Sequence, residues 1–363
     1  MKRSIKDIVR LNIRNLRPYT SARDDFYGGA EIWLDANENP YDPLPEDVKE
    51  SKGNPRIAQL NRYPDPYQRI LKEKIARVKS LRPEQIFLGN GSDEILDLLF
   101  RTFCEPGKDE VVIMPPTYGM YRVLADIHPA KIREIPLDPA FQPDVQAIRQ
   151  QTGRSTKIIF ICSPNNPTGN AVDPERLKDI MAFFDGLVVV DEAYIDFSPG
   201  KSILPLLSAY ENLIILQTFS KARGLAGIRL GMAFAHPEVL SWLNRVKLPY
   251  NVNRLSITKA AEAVESDNAF DAVGAILREK KEMFVFLEDL PSVQQVYPSD
   301  ANFILVCVRN PEKLYTFLIE KGIVVRLRSG IPGCGKAIRI TIGTHEEMQR
   351  LKEIWREFDQ KMI

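Results

Sequence analysis

Gly186-Leu187-Val188-Val189-Val190-Asp191-Glu192-Ala193-Tyr194 is an unbroken apolar run that ends on a carboxylate. Continuous β-branched runs of this kind, bounded by polar turns, suit strands buried on both faces of a mainly parallel sheet. Similar runs lie over 85–88, 110–114, 157–162 and 212–217. Amphipathic helical stretches separate them, so the middle of the chain reads as an α/β layered unit. Upstream, residues 35–66 are rich in Pro, Asn and Asp and read as an extended arm. From about residue 254 the pattern changes to a charged helix over 275–290 and strands over 301–308 and 337–342. The expected division is an N-terminal arm with part of the small domain over 1–45, a large α/β domain over 46–253, and a smaller C-terminal α+β domain over 254–363.

The 363 residues carry 49 Lys and Arg against 48 Asp and Glu, a formal net charge of +1. Nucleic acid and anionic membranes both call for a basic excess, so neither is expected as a partner. A chain of this length buries a large core without cross-links. Cys104, Cys162, Cys307 and Cys334 follow neither metal-ligand spacing nor a secreted disulfide framework, which points to reduced thiols in the cytoplasm. No apolar run approaches the ~20 residues of a membrane span. His128, His236 and His345 stand apart from any catalytic-looking group; His345 reads as a helix start, and no metal site is expected.

In an open α/β sheet ligands bind beyond the carboxyl ends of the strands, so the residues after each run decide the chemistry. After the first comes Gly89-Asn90-Gly91-Ser92-Asp93-Glu94, then Ile95, Leu98, Leu99 and Phe103 at helical spacing. Free N–H groups at such a helix start suit a phosphate, although a plain N-capped helix reads equally well. Glu94 stands where a dinucleotide fingerprint needs its third glycine. Pro115-Pro116-Thr117-Tyr118 offers an aromatic to a planar ligand, or a loop tyrosine to the packing. Ser163-Pro164-Asn165-Asn166-Pro167-Thr168-Gly169 is a rigid turn exposing Asn166. Asp191 caps a fully apolar strand and needs a cationic or hydrogen-bonding partner. Thr218-Phe219-Ser220-Lys221 comes after the last run, with Arg229 in a glycine-rich stretch beyond. A lysine, a carboxylate, an aromatic, an amide and a glycine-led helix on one rim match the needs of pyridoxal 5'-phosphate. Farther on, Arg339 shares a strand face with Ala337 and Thr341, where a guanidinium calls for an anion.

Together with Asn15-Leu16-Arg17-Pro18-Tyr19, Leu34-Asp35-Ala36-Asn37-Glu38-Asn39-Pro40 and Asn61-Arg62-Tyr63-Pro64, these motifs resemble fold-type I aminotransferases, and among them the histidinol-phosphate aminotransferase family. The resemblance implies a homodimer that uses pyridoxal phosphate to transaminate between L-histidinol phosphate and 2-oxoglutarate in histidine synthesis. By it, Lys221 holds the cofactor as a Schiff base and shuttles a proton, while Asp191 keeps the ring nitrogen protonated. Asn166 and Tyr194 would bond the ring hydroxyl, and Tyr118 would stack on the ring. The cofactor phosphate would meet the Ser92 and Asp93 N–H groups, Ser220, Arg229 and, from the neighbouring subunit, Tyr63. Arg339 and Arg326 would bind substrate anions, with Tyr19 and Asn37 closing over them.

Two places depart from the family pattern: Arg223, where an aromatic is frequent, and the glycine-rich segment 327–336, which bears on access. An aromatic amino-acid aminotransferase or a threonine-phosphate decarboxylase would use much the same pocket. A nicotinamide dehydrogenase or a non-catalytic binding module is disfavoured by the missing glycine and by the Ser220-Lys221 context.

Overall fold

The computed structural model describes residues 3–19, 34–41, 60–266 and 268–362. Its larger sheet is built from β1 (Ile86–Gly89), β2 (Glu110–Ile113), β3 (Lys131–Glu134), β4 (Thr156–Cys162), β5 (Leu187–Asp191), β6 (Leu213–Thr218) and β7 (Gly231–Ala235). The order is β1-β7-β6-β5-β4-β2-β3. Strands β2 to β6 pair in parallel, and β7 runs antiparallel to both its neighbours. Alternate residues of the apolar runs feed opposite cores. Val189, Ile214 and Phe160 face the helices Ser92–Phe103 and Pro237–Val246, while Val188, Val190 and Ile215 face Arg69–Lys79 and Pro174–Phe183.

Two strands of this sheet escaped the sequence reading. β3, Lys-Ile-Arg-Glu, is an edge strand with half its surface in water, and edges are kept charged to prevent stray pairing. β7, Gly-Met-Ala-Phe-Ala, lacks the β-branched run of its neighbours and opens on Gly231, which lies close beneath a helix start where a side chain cannot fit.

Packing also redistributes the expected units. Ile5, Ile8, Val9 and Ile13 insert beside Phe100 and Phe103, so the described start of the arm belongs with the large sheet. The Arg254–Val264 helix does too, through Ala260, Ala261 and Val264. The boundary expected at 45/46 lies outside the described residues, as does 42–59 of the arm.

The second sheet comprises β8 (Val293–Val296), β9 (Phe303–Val308), β10 (Arg326–Ile331) and β11 (Gly335–Thr341). It is antiparallel throughout, in the order β10-β11-β9-β8. One face buries Ile304, Val306, Ile338 and Ile340 under three helices; the other turns Phe303 toward Tyr194 of the large unit. Segment 327–336 is the tip of the β10–β11 hairpin, so it forms a wall of the site.

A loop ahead of β9 fastens the two sheets together. Asp300 N–H donates to the Gly169 carbonyl at 2.7 Å, its Oδ2 accepts from Ala171 N–H at 2.8 Å, and its Oδ1 pairs with Lys201 at 2.7 Å. Lys280 donates to the carbonyls on either side, of Ser299 and Ala301. Gly169 must be glycine there, since a Cβ would lie 2.5 Å from the Ser299 hydroxyl. We expect Asp300→Ala to cost about 1 kcal/mol, because it leaves the part-buried Ala171 N–H donor without its partner. Urea unfolding checks this, and an unchanged midpoint would count against the clasp.

Candidate active site

β5 delivers Asp191 to the carboxyl edge of the sheet at 4% exposure. Tyr121 OH donates to its Oδ2 at 2.9 Å and Ala193 N–H to its Oδ1 at 3.1 Å. Burial is the largest influence on this carboxyl and raises its pKa to about 6, against those two hydrogen bonds. A carboxylate so placed gains most from a cation brought by a ligand. Tyr121 had no role in the sequence reading. Its signal was its place in the Pro115–Tyr121 run, at the start of the helix that follows Tyr118.

Lys221 lies just beyond β6 and stands exposed at the rim, its Nζ 5.7 Å from the Tyr194 ring centre. Partial burial, then the charges of Arg339 and Arg229, lower its pKa, with Asp93 and Asp191 acting in opposition. A lysine so biased is more readily neutral and able to accept a proton.

The Ser163–Gly169 turn uses its two asparagines differently. Asn165 ties the turn together, donating to the Pro116 carbonyl and to Thr168, both at 2.8 Å. Asn166 is left to face the site: its Nδ2 donates to Tyr194 Oη at 3.4 Å, and its Oδ1 accepts from Arg339 Nη1 at 2.5 Å. Arg339 also lies over the Phe303 ring at 5.1 Å, and Tyr194 meets the same ring edge-on. Large and small sheets thus share one cluster.

At the end of β1, the Ser92–Phe103 helix begins after Gly91 with no side-chain cap. Glu94 folds back to accept from Asn90 N–H and from Asn251, fixing the turn and leaving the Ser92 and Asp93 N–H groups for an anion. Arg229 reaches this end, with Nη2 3.8 Å from Asp93, and a Cβ on Gly91 would lie 2.7 Å from the same nitrogen. The Thr218 hydroxyl bonds Ser220 Oγ at 3.1 Å. Tyr118 completes the wall, its OH donating to Asp93 at 3.1 Å.

Gly231 of β7 passes directly beneath, where a Cβ would lie 2.3 Å from Ser92 N. We expect Gly231→Ala to displace that donor and weaken pyridoxal phosphate binding about tenfold or more. Cofactor titration by absorbance decides, and unaltered affinity would place the phosphate elsewhere.

Three expected residues lie apart from this cluster. Tyr63 stacks on Tyr250 at 4.4 Å in a surface cleft that Asn37 also lines, and Tyr19 is 76% exposed. Arg223 points away from the phosphate cradle and donates to the Ala263 carbonyl at a helix end, a favourable place for a cation. His345 does open a helix, and bonds Glu279 at 2.8 Å. Arg326 lies directly across from Arg339 in the β10–β11 pair.

The profile of the family "Aminotransferase class I and II" matches residues 30–354. The chain is 48% identical over 350 residues to a histidinol-phosphate aminotransferase of Parabacteroides distasonis, covering 96% of this chain and 97% of that one. It is 47% identical over 356 residues to one of Cytophaga hutchinsonii, covering 98% and 99%. The fold is similar to that of the Sinorhizobium meliloti histidinol-phosphate aminotransferase in complex with pyridoxal-5'-phosphate, with TM-score 0.78, 23% identity and 90% of each chain covered.

Proposed function

This chain belongs to the class I and II aminotransferase family, and from that premise we propose that it exchanges an amino group between L-histidinol phosphate and 2-oxoglutarate, in histidine synthesis. The observation that carries the reading is the cluster at the junction of the sheets, where Arg339 and Asn166 stand beside Lys221 and Asp191. Relatives alike over nearly their whole length bear the same activity in their names.

The residues present fit pyridoxal phosphate. A buried carboxyl without an ion pair among the described residues suits a ring cation, and an uncapped helix start flanked by Arg229 suits a phosphate. When bound, the cofactor supplies an aldehyde and an electron sink for the carbanion at the substrate carbon. The chain's own groups do the rest. Lys221 Nζ would take the proton from the Cα of the incoming amino substrate and, in the reverse direction, give one back to that carbon. Asp191, fixed by Tyr121 and Ala193, would keep the ring nitrogen protonated. Asn166 and Tyr194 steady the ring hydroxyl, Tyr118 keeps water from one ring face, and Ser92, Asp93, Ser220 and Arg229 anchor the phosphate. Arg339 orients the substrate anion, with Arg326 beside it serving the longer phosphorylated substrate.

We further propose a homodimer in which Tyr63 reaches the neighbouring site while Tyr19 and Asn37 close over the substrate. Support comes from the exposed apolar side chains of Leu34, Tyr41 and Leu248. The division into two domains fits the separate cores of the two sheets, with the boundary after the Arg254–Val264 helix. A cytoplasmic location is supported by four buried free cysteines; among the described residues no helix is long and apolar enough to cross a membrane. The deciding experiment compares kcat/KM for histidinol phosphate with that for phenylalanine. Preference for phenylalanine would replace this reading with an aromatic amino-acid aminotransferase.

A further inference from the structure

Arg326, Arg328 and Arg339 occupy one face of the β10–β11 pair, since side chains alternate along a strand and Arg328 lies across from Ala337 while Arg326 lies across from Arg339. The sequence motifs account for two of them. The third, Arg328, lines a cavity of about 300 Å³ together with Pro116, Tyr118 and Asn166. Arg122 lines it as well, but is paired with Glu134 on the same wall. Arg328 has no such partner among the described residues, and its Nε is buried without a hydrogen bond. Burial, then Arg339 and Arg326, depress its pKa. Guanidinium groups gathered this way repel one another, and only an anion between them offsets that repulsion.

We propose that Arg328 is a specificity residue of the substrate site, a guanidinium that recognises a phosphate monoester and contributes little to a dicarboxylate. This role rests on the transamination reading. A phosphate monoester carries nearly two negative charges at neutral pH and three acceptor oxygens. A carboxylate carries one charge and two oxygens, which Arg339 alone satisfies as a bidentate partner. A further guanidinium on the same face therefore finds an acceptor mainly in the phosphate, and its attraction to a dianion is twice that to a monoanion.

The test uses holoenzyme and single-turnover half-reactions with histidinol phosphate and with glutamate. Arg328→Gln should raise the half-saturating histidinol phosphate concentration about tenfold or more while the limiting rate holds within about twofold. The glutamate half-reaction should be unchanged, and Arg328→Lys should regain part of the loss. Inorganic phosphate, as a competitor of glutamate, should inhibit the Gln variant more weakly than wild type, a reading that needs no phosphorylated substrate. Equal losses in both half-reactions, or unchanged constants in both, would overturn the assignment. Failure of the wild type to process histidinol phosphate would sink the transamination reading instead, and the inorganic phosphate comparison would still decide the role of Arg328.

Discussion

Lys221→Ala is expected to lower turnover by at least a thousandfold while leaving a folded protein that still takes up pyridoxal phosphate. Positioned general acid–base groups contribute roughly a hundredfold to ten-thousandfold, and this lysine would also be the covalent anchor. Stability should not suffer. Lys221 is exposed at the rim, and its charge is disfavoured by partial burial and by Arg339 and Arg229, so removing it relieves repulsion. The phosphate cradle proposed at Ser92, Asp93, Ser220 and Arg229 does not depend on it. The variant should therefore show cofactor absorbance that dialysis removes, and borohydride should fix none of it to the chain. Amino exchange between glutamate and 2-oxoglutarate within tenfold of wild type would refute the assignment.

Asp191→Asn should lower the rate by several orders of magnitude and, in the cofactor-free protein, raise stability. The two effects have one cause. Burial lifts the Asp191 pKa from its ordinary 3.8 to about 6, so between those values the folded chain holds a proton that the unfolded chain has released. Stability then falls as pH rises through this window, and by pH 7 the loss is on the order of 2–3 kcal/mol. Asparagine carries no such charge and can still meet Tyr121 and Ala193. The cofactor-free variant should thus be flat in stability across pH 4–6 and more stable than wild type at pH 7.5. With cofactor bound, the wild-type carboxylate would meet the proposed ring cation and recover its loss, whereas the variant would lack the charge that keeps the ring protonated. Calorimetry with and without cofactor separates the cases. A variant less stable than wild type at pH 7.5 without cofactor would mean that Asp191 is chiefly structural.

Much of the candidate site was legible because it sits at strand ends. Asp191 and Lys221 are found by inspecting the residues at the carboxyl end of each apolar run, and the parallel pairing of β4, β5 and β6 brings those ends to one edge whatever the remaining packing. Segments with weaker local signals were not legible. β7 opens on Gly231 because Ser92 N lies against that position, a neighbour far away in sequence. The Arg254–Val264 helix carries an ordinary amphipathic pattern, and nothing in it tells which sheet its alanines will cover.

Local sequence dictates the kinds of groups and the edge at which they gather: a lysine, a carboxylate, a glycine-led helix start and an arginine on an antiparallel strand. These arise from strand period, turn chemistry and chain direction, all properties of short stretches of chain. The pairings among those groups come from tertiary packing alone. That Tyr121 rather than Tyr118 holds Asp191 is decided by packing within the large sheet's own core, whereas that Asn166 rather than Asn165 faces Arg339, and that Arg328 enters the cavity beside Asn166, depend on how the two sheets meet beside the Asp300 clasp. Such contacts join residues far apart in the chain, and their geometry is set by close packing across the junction, which no local pattern encodes.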